Sequence, residues 1–273
     1  MISRIEALLY RCLRYVDQPL LTFHVLVGPN ASGKSTFLDV VAFMSDLVFS
    51  GPADAVSRRA PDVRDLVWLR QGNLFELAVD VVIPKSRKDR LKQANYANAR
   101  YEIGVGLDSK TDELQILGET FWLAPAMAEG DDTAQQRSLF PEARSAPSTI
   151  IHPAGTRAPS GWRKVVNKVA DSGNDYFSSE TSGWHNLFRL GPQKSALANL
   201  PEDESKFPVA TWFKELLMLG VQTIALHSER MRQPSAPGTP RAFLPDGSNL
   251  PWVVETLMKK HRAKRRSSSI PSP

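Results

Sequence analysis

The residues with the clearest chemical meaning lie in one short glycine-containing loop near the start of the chain. The stretch Gly28-Pro-Asn-Ala-Ser-Gly-Lys-Ser-Thr fits the pattern G-x-x-x-x-G-K-[ST]. Glycines let such a loop curl tightly, so that successive backbone N–H groups point at phosphate oxygens, and the lysine adds a positive charge beside them. The pattern therefore predicts a binding site for the phosphates of a nucleoside triphosphate.

Each position of this loop has a predicted role. Lys34 is expected to bridge the β- and γ-phosphates, the Ser35 hydroxyl to ligate Mg²⁺, and Thr36 to reach the α-phosphate. The other members of the site supply backbone and space: Gly28, Pro29, Asn30, Ala31, Ser32 and Gly33. The predicted cofactors are ATP and Mg²⁺. We find no Asn/Thr-Lys-x-Asp sequence that would read guanine, which favours ATP over GTP.

A strand and a helix are needed to hold this loop. Residues 21–27 form an apolar run that predicts a strand, and the apolar residues after the loop recur at helical spacing. These are Phe37, Val40, Val41, Met44, Leu47 and Val48. The motif binds phosphate when it joins a strand to a helix in this way. The alternative interpretation is that residues 28–36 form an ordinary glycine turn without a phosphate-binding role.

The rest of the chain predicts an α/β protein of the P-loop NTPase class, with an antiparallel β-subdomain and three layers. We expect residues 1–260 to form one domain and 261–273 a disordered basic tail. Residues 84–100 and 126–148 are predicted to be flexible inserts. The further predicted elements are strands at 74–83, 101–107, 113–123 and 221–227, and helices at 208–219 and 252–260.

Composition excludes several classes of protein. The 273 residues are 42% hydrophobic and 23% charged, as in soluble globular proteins, and no run of eighteen apolar residues predicts a membrane helix. Cys12 is the single cysteine, so we predict no internal disulfide and a cytoplasmic location. The net charge of +5 permits DNA binding through the basic runs at 85–92 and 259–266, although a solvated face and a disordered tail are the favoured alternatives.

The loop also carries a family resemblance. Its sequence, with Asn30 and Ser32 inside the loop and Phe37-Leu38 after it, resembles that of the ABC-like ATPases of the SMC and RecF group. More narrowly, it resembles the bacterial AAA-family ATPases called AAA_21-like or OLD-like, which occur in DNA-repair and phage-defence operons. Two further stretches share the likeness: 101–123, ending in Gly-Glu-Thr-Phe-Trp-Leu, and Ala225-Leu-His-Ser-Glu-Arg with Leu244-Pro-Asp-Gly-Ser-Asn-Leu-Pro.

The resemblance implies an ABC-ATPase-like fold in which residues 1–260 form an ATPase head with an incomplete C-terminal half. It also implies ATP hydrolysis by heads that dimerise around the nucleotide. In such ATPases a glutamine after the first β-layer contacts Mg²⁺ and the attacking water, and Gln71 is the residue that matches it by order along the chain. The alternative interpretation is that Gln71 is a polar residue in a Gln-Gly turn before the next strand.

The sequence also departs from the family. The family's second half carries an ABC signature, an apolar strand ending in Asp-Glu and a switch histidine, and we find none of them in these 273 residues. Asp80 and Glu229 are better explained as polar residues of strands than as that acidic pair. The chain thus resembles the N-terminal half of such an ATPase, truncated or split.

Hydrolysis needs an acidic group that holds Mg²⁺, so it is expected only if a partner or a missing segment supplies one. The predicted partner is a second copy of this chain or another ATPase subunit. A non-hydrolysing nucleotide-binding structural or sensor subunit is the main alternative, and a small-molecule kinase is the other. The five histidines have no metal-ligand spacing, so no metal beyond Mg²⁺ is predicted.

Overall fold

The computed structural model describes residues 1–92, 95–126, 145–152, 158–170, 175–236, 238–240 and 242–267. The chain divides into two compact units, Met1–Val221 and Gln222–Pro273. The boundary falls inside the single head predicted for residues 1–260.

One eight-stranded antiparallel sheet forms the frame of the first unit. Its strand order is β2-β1-β3-β4-β5-β6-β7-β8, and every neighbouring pair is antiparallel. The strands are β1 (Ile2–Tyr10), β2 (Leu13–Pro19), β3 (Leu74–Val82), β4 (Tyr96–Leu107), β5 (Leu114–Pro125), β6 (Arg163–Val169), β7 (Asp175–Ser178) and β8 (His185–Phe188). This mixed α/β architecture, with its antiparallel β-layer, confirms the predicted fold class.

Helices pack against one face of this sheet. They are α1 (Lys34–Ser50), α2 (Pro52–Ser57), α3 (Lys85–Lys88) and α4 (Pro208–Leu219), with 3₁₀ turns at Val63–Leu66 and Trp68–Arg70. Because side chains alternate along a strand, one set of strand residues meets the apolar stripes of α1 and α4. At the centre, the rings of Tyr10, Phe43 and Phe75 lie 4.9 to 5.7 Å apart. This core fixes the axis of α1 and therefore the start of the helix that follows the glycine loop.

The second face of the sheet is polar and is covered differently. The segment 149–152 runs across it and is bound through its backbone: Ile150 N–H donates to Glu76 (2.6 Å), and Arg100 donates to the Ile150 carbonyl (3.1 Å). Ile151 lies over Gly104, where an added Cβ would come within 2.9 Å of it. In the described part of this unit, an irregular segment thus covers this face of the sheet.

Two predicted strands are wrong. Residues 21–27 and 221–227 pair with no strand within the described ranges, and most of their apolar side chains are exposed. Phe23 and Val27 are 81% and 89% exposed, and Ile224 is 54% exposed. An apolar run becomes a strand only where a neighbour pairs with its backbone, which the local sequence does not specify.

The predicted inserts also differ from the structure in part. Within residues 84–100, helix α3 forms and strand β4 begins at Tyr96, so 96–100 belong to the sheet. Arg100 is buried there because three carboxylates surround it, which a count of charged residues does not reveal. The predicted insert at 126–148 lies mostly outside the described residues.

The second unit contains α5 (Ser228–Met231) and α6 (Leu250–Ser267). A turn precedes α6, in which Asp246 accepts hydrogen bonds from the Ser248 N–H and hydroxyl (3.1 and 2.8 Å). Helix α6 continues beyond the predicted end at residue 260 and takes in residues 261–267, for which the sequence predicts a disordered tail. No helix in the described ranges is both long and apolar enough to span a membrane.

A buried carboxyl at the start of α4 predicts a pH-dependent stability. Glu180 is 1% exposed and accepts hydrogen bonds from Val209 N–H and Ala210 N–H (both 2.7 Å). Burial raises the pKa of Glu180 to about 8, although these two N–H groups act in the opposite direction. The unfolded chain loses this proton near its ordinary pKa, about 4.3, so the free energy of unfolding should fall as the pH rises from about 5 to 8.

Denaturant unfolding at several pH values in that window checks this expectation. The variant Glu180→Gln cannot titrate, so its stability should vary less with pH than that of the wild type. An equal slope in both proteins would show that Glu180 does not hold its proton.

Candidate nucleotide-binding site

The glycine loop takes a shape that depends on its glycine at the helix start. Helix α1 begins at Lys34, and Gly33 before it has φ +89°. A Cβ at this position would lie 3.1 Å from Leu13 Cδ2 and 3.3 Å from Cys12 Sγ. Both the left-handed backbone and the close approach of the β1–β2 turn therefore require glycine here.

The lysine of the motif folds back over the loop. Its Nζ donates to the carbonyls of Gly28 (2.8 Å) and Pro29 (2.6 Å) and lies 3.3 Å from Ser32 Oγ. Residues 28–32 are exposed, so the loop is accessible from solvent. The ammonium group is thus held at the mouth of the loop, where a phosphate oxygen could replace a carbonyl as its acceptor.

The start of α1 is suited to an anion. Gly33 offers no side chain that could cap the first N–H groups, and the first turn contains no acidic residue. In a helix of 17 residues these N–H groups and the aligned peptide dipoles make the N-terminus electropositive. The open N-terminus, the curled loop and Lys34 together fit the phosphates of a nucleotide.

The turn between β1 and β2 supports this helix start, and sequence reasoning had missed it. Cys12 Sγ lies 3.2 Å from the Thr36 hydroxyl oxygen. The Tyr10 hydroxyl donates to Asp39 (2.7 Å), and Arg59 Nε donates to the same carboxylate (2.8 Å). Burial, and then Asp39, raises the pKa of Tyr10, so its hydroxyl keeps the proton that it donates. One feature of the sequence could have predicted this turn: two apolar runs lie on either side of Arg11-Cys12, which is the pattern of a β-hairpin.

Gln71 lies in a turn just before β3 and is exposed. Its neighbours Leu69, Arg70 and Gly72 all have positive φ, so the chain reverses sharply there. The preceding residues adjoin the β1–β2 turn, since Arg11 N–H donates to the Leu66 carbonyl (2.8 Å). The structure thus places Gln71 on a segment that contacts the same turn as the glycine loop, and its role at Mg²⁺ stays a prediction.

The candidate Mg²⁺ ligands do not form a preassembled metal centre. Ser35 is exposed at the first turn of α1. Across the described ranges, no group of three or more His, Cys, Asp or Glu side chains is arranged to hold a metal ion. Asp80 lies inside β3 against Arg100, as expected of a polar strand residue, whereas Glu229 lies in the short helix α5 and not at a strand end.

The glycine loop, the helix that it opens and the antiparallel α/β frame define the class of protein, a P-loop NTPase. More particularly, the chain belongs to the family described as "AAA domain, putative AbiEii toxin, Type IV TA system", whose model matches residues 23–269. This confirms the family predicted from the loop. Membership supports nucleotide binding and implies ATP as the nucleotide, typically with Mg²⁺.

One solved structure similar to this chain is described as "Structural biochemistry of ATP-driven dimerization and DNA stimulated activation of SMC ATPases". It shares 19% identity, and the match covers 45% of this chain and 68% of the other, with a TM-score of 0.32. A likeness this distant carries no argument about function. No curated protein matches this chain.

Proposed function

We propose that this chain binds Mg²⁺-ATP through residues 28–36 as part of an AAA-type, ABC-like ATPase. The observation that carries the proposal is the position of Lys34, whose Nζ lies within 2.8 Å of two loop carbonyls at the open N-terminus of α1. There it would meet the β- and γ-phosphates, while the N–H groups that begin α1 face the same charge. Ser35 and Gln71 would hold Mg²⁺.

We further propose that hydrolysis depends on groups from a partner or from a further segment of polypeptide. Supporting this are the four apolar side chains that alternate along the residues just before Gly28. Leu21, Phe23, Val25 and Val27 are between 67% and 89% exposed. A strand pairing with this segment would bury these side chains and satisfy its backbone, and it would bring new residues beside the loop. An acidic Mg²⁺-holding group would then arrive with that strand. The roles in DNA repair or phage defence stay predictions.

The test is ATP binding by the purified chain with Mg²⁺, measured by calorimetry, beside the variant Lys34→Ala. Because charge-assisted hydrogen bonds to phosphate contribute the most, we expect Lys34→Ala to weaken binding on the order of 100-fold. Lys110→Ala is the matched control, since Lys110 is an exposed lysine in the β4–β5 turn, outside the glycine loop. Equal affinity of wild type and Lys34→Ala would refute the phosphate site.

Turnover is measured in the same samples, alone and after addition of a full-length family ATPase head. We expect phosphate release by the mixture to exceed that of the added head alone, and no such excess with Lys34→Ala. Turnover by the isolated chain would show that it holds its own acidic group. Binding without turnover by the chain and without excess turnover in the mixture would favour the alternative function, a nucleotide-binding structural or sensor subunit.

A further inference from the structure

A cavity of about 450 Å³ lies on the polar face of the sheet, within the first unit. Its floor is formed by Arg4 and Glu6 of β1, Asp80 of β3 and Arg100 of β4, and its cover by His152 and Trp162. This volume is in the range of sites that enclose small molecules. The nucleotide loop contributes nothing to this lining, so the cavity is a separate feature of the protein.

Most of the charges in the floor are satisfied by one another. Arg100 forms an ion pair with Glu6 (2.5 Å) and donates hydrogen bonds to Glu102 (2.7 Å) and to the Ile150 carbonyl. Glu102 also accepts a hydrogen bond from Trp122 (3.2 Å) and lies 2.6 Å from His152 Nδ1. Burial disfavours the charge on Glu102, but His152 and Arg100 outweigh it and lower the pKa of this carboxyl to about 2. Arg100 and Glu102 thus use their hydrogen-bonding capacity within the network and leave little for a ligand.

Two groups in the cavity retain capacity for a ligand. Asp80 is 6% exposed, and its contacts to Arg100 are long, 3.3 and 3.4 Å. Arg4 binds Asp17 through Nε and Nη2 (2.6 and 2.7 Å), whereas its Nη1 forms only a 3.9 Å ion pair with Asp80 among the described residues. Burial raises the pKa of Asp80, as expected of a carboxylate that is incompletely compensated. An acceptor and a donor therefore lie side by side in the cavity.

The two groups that retain capacity and the cover indicate the class of ligand. The Asp80 carboxylate accepts and Arg4 Nη1 donates, and the two lie 3.9 Å apart, so a ligand with one charge of each sign can pair with both. The indole of Trp162, whose ring lies 5.4 Å from that of His152, offers an apolar surface for the rest of such a molecule.

We propose that this cavity binds a small zwitterion, an α-amino acid with an apolar side chain, whose ammonium group binds Asp80, whose carboxylate binds Arg4 Nη1 and whose side chain packs on Trp162. The two charges of an α-amino acid are separated by one carbon atom, which suits two protein groups that are 3.9 Å apart. This inference is independent of the proposed nucleotide site.

Calorimetric titration of the unmodified chain with L-leucine and L-phenylalanine tests it. N-acetyl-L-leucine lacks the ammonium charge and L-leucine methyl ester lacks the carboxylate, so each should bind at least about tenfold more weakly than L-leucine. Absence of binding by both amino acids up to about 10 mM would overturn the proposal. So would equal binding of L-leucine and both derivatives.

Variants then locate the site. Asp80→Asn should weaken L-leucine binding by about tenfold or more, whereas Asp89→Asn, which changes an exposed carboxylate in the 84–92 segment, should leave it unchanged. The melting temperature of each variant confirms that it is folded. If folded Asp80→Asn binds L-leucine as tightly as the wild type, the cavity is not the site.

Discussion

Replacement of Arg100 by leucine will lower the free energy of unfolding by about 3 to 5 kcal/mol, because it removes the buried cation that contacts three buried carboxylates. Arg100 contacts Glu6 (2.5 Å), Glu102 (2.7 Å) and Asp80 (3.3 Å), and all four residues are no more than 8% exposed. Burial disfavours the charge on Arg100, but the carboxylates outweigh it and raise the pKa of its guanidinium. The loss would leave Glu6 and Asp80 only their longer contacts to Arg4, at 3.5 and 3.9 Å.

Guanidinium chloride unfolding, followed by circular dichroism, measures this change. The exposed arginine Arg90, which pairs with Glu204 (2.5 Å), provides the control Arg90→Leu. Surface ion pairs contribute little, so this variant should unfold at nearly the same denaturant concentration as the wild type. A comparably small effect for Arg100→Leu would mean that water reaches the network and screens its charges.

The lost stability of Arg100→Leu should be partly recovered at low pH. Without Arg100, protonation of the buried carboxylates stabilises the folded variant. The difference in free energy of unfolding between variant and wild type should therefore narrow as the pH falls. A difference that stays constant from neutral pH to about pH 4 would contradict the electrostatic origin of the effect.

Replacement of Gly106 by alanine will destabilise the first unit by about 3 kcal/mol, through a collision between backbone and side chain. A Cβ on Gly106 would lie 2.1 Å from the Asn73 carbonyl oxygen and 2.8 Å from Leu74 Cα. Neither neighbour can rotate away, because both belong to the chain that enters β3. The Asn73 carbonyl also accepts the Leu107 N–H (2.8 Å), so the start of β3 must shift and that hydrogen bond must weaken.

Gly118→Ala is the matched control, because Gly118 pairs with Gly104 in the same part of the sheet and its nearest neighbour would be 4.0 Å from the new Cβ. Thermal unfolding should show a clear fall in melting temperature for Gly106→Ala and little change for Gly118→Ala. Since Gln71 lies two residues before Asn73, the first variant should also lower any turnover seen with a partner head. Equal melting temperatures would show that β3 and β4 can separate at this end without cost.

Several features could be predicted from local sequence because they depend on local chemistry. The glycine loop needs its glycines and its lysine whatever surrounds them, and the helix after it follows from the spacing of Phe37, Val40, Met44 and Leu47, all buried in the structure. The antiparallel β-layer follows from runs of strand-forming residues that border turn residues. The strands β1 and β2 were missed because the arginines in their apolar runs interrupt a simple pattern.

The amino-acid sequence by itself determined the glycine loop, the helix that it opens and the family of this protein, since each depends on a few residue types at fixed spacing. Only the tertiary structure decided that residues 21–27 lie exposed, because a strand exists only with a neighbour that pairs with it. It alone showed that Asp80, Arg100 and Glu102 lie buried together on one face of the sheet. Charged residues that alternate along a strand look the same in sequence whether their side chains face water or one another. In this structure the segment 149–152 covers this face of the sheet, so the charged side chains face one another.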